Sequence, residues 1–251
     1  MDFLKRHPFA VEARFRKVVA VSFAFPEKVV ASLLPAGLEV DSFEGFGFVT
    51  VALVWTESLR PAGFPKVLGQ DFFLAGYRVF ARLRDEEGRK MRGLKILRSE
   101  TDKGRMVWLG NLMTGYNYRR VAVDVNETSE GTSVVCLSPD GTLSLDLSFG
   151  INGGEAGLPS GSPFPDWRTA RRFAGPMPFT FSSESNGEFT VVEGKRGNWK
   201  PVPVEVKEWE VGLFSEAPFT GSQPVLANAF MVEDVEYRWE KGKRLKPRID
   251  V

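Results

Sequence analysis

Several stretches of this 251-residue sequence carry side chains able to do chemistry. Lys95 stands among apolar neighbours in Gly93-Leu94-Lys95-Ile96-Leu97. A lysine withdrawn from water there holds its proton less tightly and can attack a carbonyl as a free amine. Strand alternation also allows a plainer arrangement, with Lys95 opposite Leu94 and Ile96 on an outer face and its stem laid over apolar neighbours. Arg98 and Glu100 follow at period-two spacing, which predicts that both share the interior face with Leu94 and Ile96. A buried arginine needs a partner, and Glu100 is the nearest in sequence. Beside a cavity Arg98 can grip a carboxylate through two parallel hydrogen bonds; at the end of a sheet the two residues form a structural ion pair. Both readings stand.

The segment Gly110 to Arg120 is dense in hydrogen-bonding groups and contains Tyr116, Asn117, Tyr118 and Arg119. Tyr118 can donate a proton or a hydrogen bond and Arg119 can hold an anion, although Tyr-Asn-Tyr also suits an ordinary turn with packed rings. The basic tail of Lys241, Lys243, Arg244, Lys246 and Arg248 has only Trp239 as a nearby ring. It is expected to be solvated and partly disordered rather than to bind nucleic acid or lipid.

The residue inventory narrows the chemistry. His7 is the one histidine and lies close to the chain start, where a flexible terminus is expected. A Ser-His-Asp triad, a multi-histidine zinc site or a haem ligand would all have to use it. Cys136 is the one cysteine, sits in Val-Val-Cys-Leu, and reads as a small core residue unable to form an internal disulfide. No spaced Asp/Glu cluster suggests a metal, so neither metal nor cofactor is expected. A net charge of +1 supplies no field for nucleic acid or anionic membrane. With one cysteine, no secretory pattern and no apolar run long enough to span a bilayer, the expected location is the cytoplasm.

The elements that must position these groups read mainly as strands. Phe46–Trp55, Tyr77–Leu83, Met91–Arg98, Met106–Leu112, Val121–Val125, Ser133–Leu137, Leu143–Phe149, Glu188–Val192 and Val202–Trp209 carry strand-like patterns. Between several of them lie turn signals such as Pro139-Asp140-Gly141 and Asn186-Gly187. Helices are expected over Pro26–Leu34 and Pro165–Phe173. The 21 Phe and 6 Trp can fill a barrel or line an apolar pocket. Residues 150–165 are rich in glycine and proline and read as a flexible loop, without a phosphate-loop or dinucleotide ending. The fold class is therefore mainly β (α+β), an antiparallel closed or partly open barrel, or a sandwich, with two or more short helices.

The order of several blocks adds a family resemblance. Leu34-Pro35-Ala36-Gly37-Leu38-Glu39-Val40-Asp41, Tyr77-Arg78-Val79-Phe80, Gly93 to Glu100 and Tyr116-Asn117-Tyr118-Arg119 come in succession. Trp199-Lys200-Pro201-Val202-Pro203-Val204 and Phe230-Met231-Val232-Glu233-Asp234-Val235 close the series. The chain resembles the domain of unknown function 2071 family, which is grouped by fold with acetoacetate decarboxylase. The resemblance implies a single decarboxylase-like β-barrel domain over residues 1–251. In true acetoacetate decarboxylases a Gly-Phe-Pro-Lys-Lys segment supplies the Schiff-base lysine. The matching stretch is Gly115-Tyr116-Asn117-Tyr118-Arg119, with tyrosine at the nucleophile position and arginine after it. Arginine stays protonated and cannot replace a nucleophilic amine, which leaves Lys95 as the one substitute.

The expected function is binding of a small, apolar-tailed carboxylic or oxo acid in a barrel cavity, with lyase or hydratase-type turnover open. Candidate catalytic groups are Tyr118, Glu100 and Lys95. Candidate substrate contacts are Arg98, Arg119, Asn117, Tyr116 and, through the family block, Arg78. A non-catalytic binding or sensing module and a self-associating structural protein, including a homo-oligomer, remain alternatives. The expected partner is a small-molecule ligand.

Overall fold

In a computed structural model, residues 4–150, 157–175 and 177–248 are described. Long apolar tracts make its longest strands. β1 (Val11–Pro26) is followed by helix α1 (Glu27–Ala31), β2 (Leu38–Val40) and β3 (Phe46–Pro61). Then come β4 (Gln70–Arg84), β5 (Lys90–Thr101), α2 (Gly104–Met113) and β6 (Tyr118–Arg120). β7 (Ala122–Thr128), β8 (Gly131–Leu137) and β9 (Leu143–Gly150) form a meander, and α3 (Trp167–Phe173) follows. The chain continues through β10 (Phe179–Ser183), β11 (Phe189–Arg196), β12 (Val202–Pro203), β13 (Glu205–Val211), β14 (Val225–Trp239) and β15 (Lys243–Leu245).

These strands form an 11-stranded sheet and a four-stranded one. The large sheet runs β12-β14-β1-β3-β4-β5-β10-β11-β15, and β14 also pairs with β11, so the path of pairing returns on itself. The small sheet, β13-β9-β8-β7, packs on its outer face. Val19, Val51, Leu53 and Tyr77 from the large sheet share one apolar core with Val134, Cys136, Leu145 and Leu147 from the small one. Alternate residues of the same strands, among them Ala20, Thr50 and Ala52, line a cavity on the opposite face. Because both faces are covered, β1 and β3 read as near-continuous apolar runs rather than alternating ones.

Three expectations are corrected. The large sheet is mixed rather than purely antiparallel, because β10 and β6 both run parallel to β5. Met106–Leu112 belongs to helix α2, not a strand. Val107 is the only β-branched residue there, and Met106, Leu109, Gly110 and Met113 recur at helical spacing along the wall of a cavity. The basic tail is ordered as far as it is described: β15 pairs with β11, and Leu245 packs against a core that includes Phe181 and Phe189. Part of the expected 150–165 loop lies outside the described residues. Its later portion is packed, with Phe164 buried and the Ser162 hydroxyl donating to the Ala227 carbonyl at 2.6 Å. No described helix is long and apolar enough to cross a membrane.

Candidate functional site

Inside the curl of the large sheet lies a chamber of about 130 Å³. Its lining is largely apolar, and Ser22, Thr50 and Arg78 in it belong to one row of polar residues. Arg78 on β4 is opposite Thr50 on β3, Thr50 is opposite Ser22 on β1, and Ser22 is opposite Asn228 on β14. Four adjacent strands thus present one polar residue each at the same level. The Ser22 and Thr50 hydroxyls are hydrogen-bonded at 2.8 Å. Asn228 is fully buried, and Phe230, two residues along β14 on the same face, lines the chamber.

The ends of this row are unsatisfied. Arg78 makes no hydrogen bond or ion pair among the described residues, and its Nε is buried without a partner. Burial lowers the pKa of the Arg78 guanidinium, with Tyr237, Tyr118 and Tyr116 as the neighbours that favour its charge and Arg196 opposing. Asn228 leaves both amide atoms unpaired, and so does the Trp199 indole nitrogen in the chamber wall. The remaining atom of this kind, Glu188 Oε2, faces the Arg244 guanidinium at 3.4 Å. Unmet polar groups therefore gather around the chamber, where each left unpaired costs about 1–3 kcal/mol.

Tyrosines and a second arginine complete the walls. Tyr116 and Tyr118 alternate inward around Asn117, which has a left-handed backbone (φ 53°). The Tyr116 hydroxyl is 3.0 Å from that of Thr180, and burial pushes its pKa up to about 12. Burial also raises the Tyr118 and Tyr237 hydroxyls, so both stay protonated donors at neutral pH. Each ring lies against a glycine: a Cβ at Gly110 would collide with Tyr118, and one at Gly194 with Tyr237. Arg196 donates to the Met177 carbonyl at 2.9 Å and lies over the Trp199 ring.

The other candidates lie elsewhere. Arg98 and Glu100 do not share a face with Leu94 and Ile96. Arg78 pairs with Ile96 while Tyr77 pairs with Arg98, so Leu97 is an extra residue that reverses the alternation of β5. Leu94, Ile96 and Ser99 consequently face the chamber, and Arg98 and Glu100 face the core between the sheets. There Glu100 accepts from Tyr77 at 2.9 Å and from Ser144 at 2.6 Å, while Arg98 meets Glu216 at 2.6 Å and Glu100 at 3.6 Å. Lys95 pairs in register with Val79 and Phe181, away from the chamber lining, and burial lowers its pKa. Asn117 and Arg119 are exposed, and Asn117 donates to the Leu97 carbonyl at 3.2 Å.

Sequence reading missed Ser22, Thr50, Arg196, Trp199, Asn228 and Tyr237. The polar row depends on which strands are neighbours, and only its interrupted apolar tracts (Val-Ser-Phe, Val-Thr-Val, Ala-Asn-Ala) hint at it. His7 also departs from expectation. It is buried, its amide donates to the Met113 carbonyl at 2.9 Å, and its carbonyl accepts from Gly242 at 2.9 Å. Among the described residues no group of three or more His, Cys, Asp or Glu is placed to hold a metal ion.

Residues 12–233 match the family DUF2071, described as an uncharacterized conserved protein. No curated protein matches the sequence. Among solved structures, acetoacetate decarboxylase from Legionella pneumophila aligns with a TM-score of 0.64 at 10% identity, covering 97% of this chain and 90% of that one. An acetoacetate decarboxylase-like enzyme from Sphingomonas wittichii gives 0.60 at 14% identity over 96% and 93%. The enduracididine biosynthesis enzyme MppR complexed with pyruvate gives 0.60 at 12% identity over 96% and 91%. At these identities the likeness establishes a shared fold.

Proposed function

The chain belongs to the DUF2071 family, and we propose that it binds a small carboxylic or oxo acid in the chamber floored by Arg78. The carrying observation is the unpaired Arg78 guanidinium facing a cavity whose described lining includes no carboxylate. A ligand carboxylate supplies the missing countercharge through charge-assisted hydrogen bonds. Tyr118 and Tyr237, held protonated, are placed to donate to a second oxygen, such as a carbonyl. The likeness to MppR, whose structure was solved with pyruvate, supports an oxo acid of this size. The return of the strand pairing on itself supports a barrel-like enclosure in a single domain.

The same lining favours a binding or sensing role over imine chemistry. Neither lysine nor Asp/Glu is among the described lining residues, so it offers no Schiff-base amine and no carboxylate base. Lyase or hydratase-type turnover would have to run on a tyrosine such as Tyr118 as proton donor. Calorimetric titration with pyruvate tests the reading. Binding to the wild type should fall at least about tenfold in Arg78→Gln, the loss of one charge-assisted contact, and stay unchanged in Arg119→Gln. Equal affinity in Arg78→Gln would sink it.

A further inference from the structure

A second chamber of about 220 Å³ adjoins the first. Arg78, Tyr116, Tyr118, Phe15 and Leu74 wall both, so the two meet beside Arg78. Beyond that junction the lining changes character. Leu59, Phe72, Met106, Leu109 and Met113 surround the space, and its remaining polar groups are already engaged or uncharged. Arg60 is paired with Glu12 at 3.4 Å and donates to the Ser58 and Phe64 carbonyls. The Thr114 hydroxyl donates to Gly110 at 2.8 Å. His7, desolvated, favours its neutral form and lies 3.2 Å from the Phe9 carbonyl through Nδ1.

We infer that this second chamber is a tail site, which takes the aliphatic or aryl tail of the same acid whose carboxylate Arg78 holds. The ligand class is thereby narrowed from small oxo acids to monocarboxylates with a sizeable apolar tail. This inference rests on the reading of Arg78 as the carboxylate anchor. Two features support it. One cation stands at the junction of a space that holds the unpaired polar groups and a more apolar one, which is the division of an amphipathic acid. The apolar space also matches a tail in size, because a cavity of about 150 Å³ takes up a benzene-sized guest, and this one has room for roughly six to eight carbons. Met106 and Met113, being flexible and unbranched, let the wall adapt to different tails.

The test is a calorimetric series of straight-chain acids from butanoate to decanoate. Affinity is expected to rise about threefold to fourfold per methylene, the transfer value for buried CH₂, and to level off once the chamber is full. Met113→Trp fills the chamber and is expected to flatten this rise, and its thermal unfolding transition reports whether the variant is folded. If Met113→Trp does not fold, Leu109→Phe serves the same purpose. Arg78→Gln should weaken every member of the series alike. Affinity independent of tail length overturns the tail site and leaves the Arg78 anchor standing. A wild-type dimer dissociated by hexan-1-ol would give the chamber to a second copy of the chain and overturn it too. No binding by any of the acids overturns the anchor and the tail site together.

Discussion

Arg78 stands directly across the β3–β4 ladder from Thr50, whose hydroxyl lies 2.8 Å from that of Ser22. The hydroxyls are bonded to each other, but the guanidinium has no counterpart among the described residues. A folded chain leaves such a group unpaired at a cost, and under the proposed function a bound carboxylate offsets it. Function and stability should therefore oppose each other along this row.

Arg78→Met is expected to stabilise the unliganded protein by about 1–3 kcal/mol, because it removes a desolvated, unpaired charge and keeps the apolar stem. Urea denaturation without ligand measures this. A loss of similar size would mean that Arg78 is held by the fold for structural reasons.

Asn228→Leu makes the same argument at the other end of the row. Both atoms of the Asn228 amide are buried without partners. An isosteric leucine should raise stability by about 1–3 kcal/mol. If stability falls instead, the amide has a partner in solution that the fold requires.

Glu100 should behave in the opposite way. It accepts from Tyr77 and Ser144 in the core between the sheets and lies 3.6 Å from Arg98. Glu100→Ala strands two hydroxyls and is expected to cost about 2–5 kcal/mol. The fraction that remains folded should bind carboxylates with wild-type affinity. Altered affinity in the folded fraction would return Glu100 to the site.

Much of this architecture is legible in the sequence, because strand periodicity and turn chemistry are local. The Asn186-Gly187 turn does join β10 and β11, with the Gly187 amide donating to Glu184 at 3.2 Å. Tyr116 and Tyr118 in the chamber wall were also within reach of sequence reading. What is not local was lost. One added residue, Leu97, sends Arg98 and Glu100 to the wrong side of β5, and no spacing rule anticipates a bulge. Asn228 joins Ser22 only because β14 is the neighbour of β1, across about 200 residues of chain.

His7 gives a pH signature. Burial lowers its pKa below the ordinary value of 6.5, so below that pH the unfolded chain takes up a proton that the folded chain refuses. Stability should hold above about pH 6.5, decline as the pH falls toward the folded-state value, and then level in this contribution. His7→Gln should flatten that decline. A melting temperature whose pH dependence is identical in the variant would assign the acid sensitivity to carboxylates instead.

The central claim is that Arg78 anchors a carboxylate at the junction of two chambers. A crystal structure of the protein with bound octanoate tests it most directly. The account predicts the carboxylate on the Arg78 guanidinium, with the tail running between Phe72, Leu109 and Met113. A carboxylate seated on Arg98 or Arg119, or a tail left outside the second chamber, would contradict it.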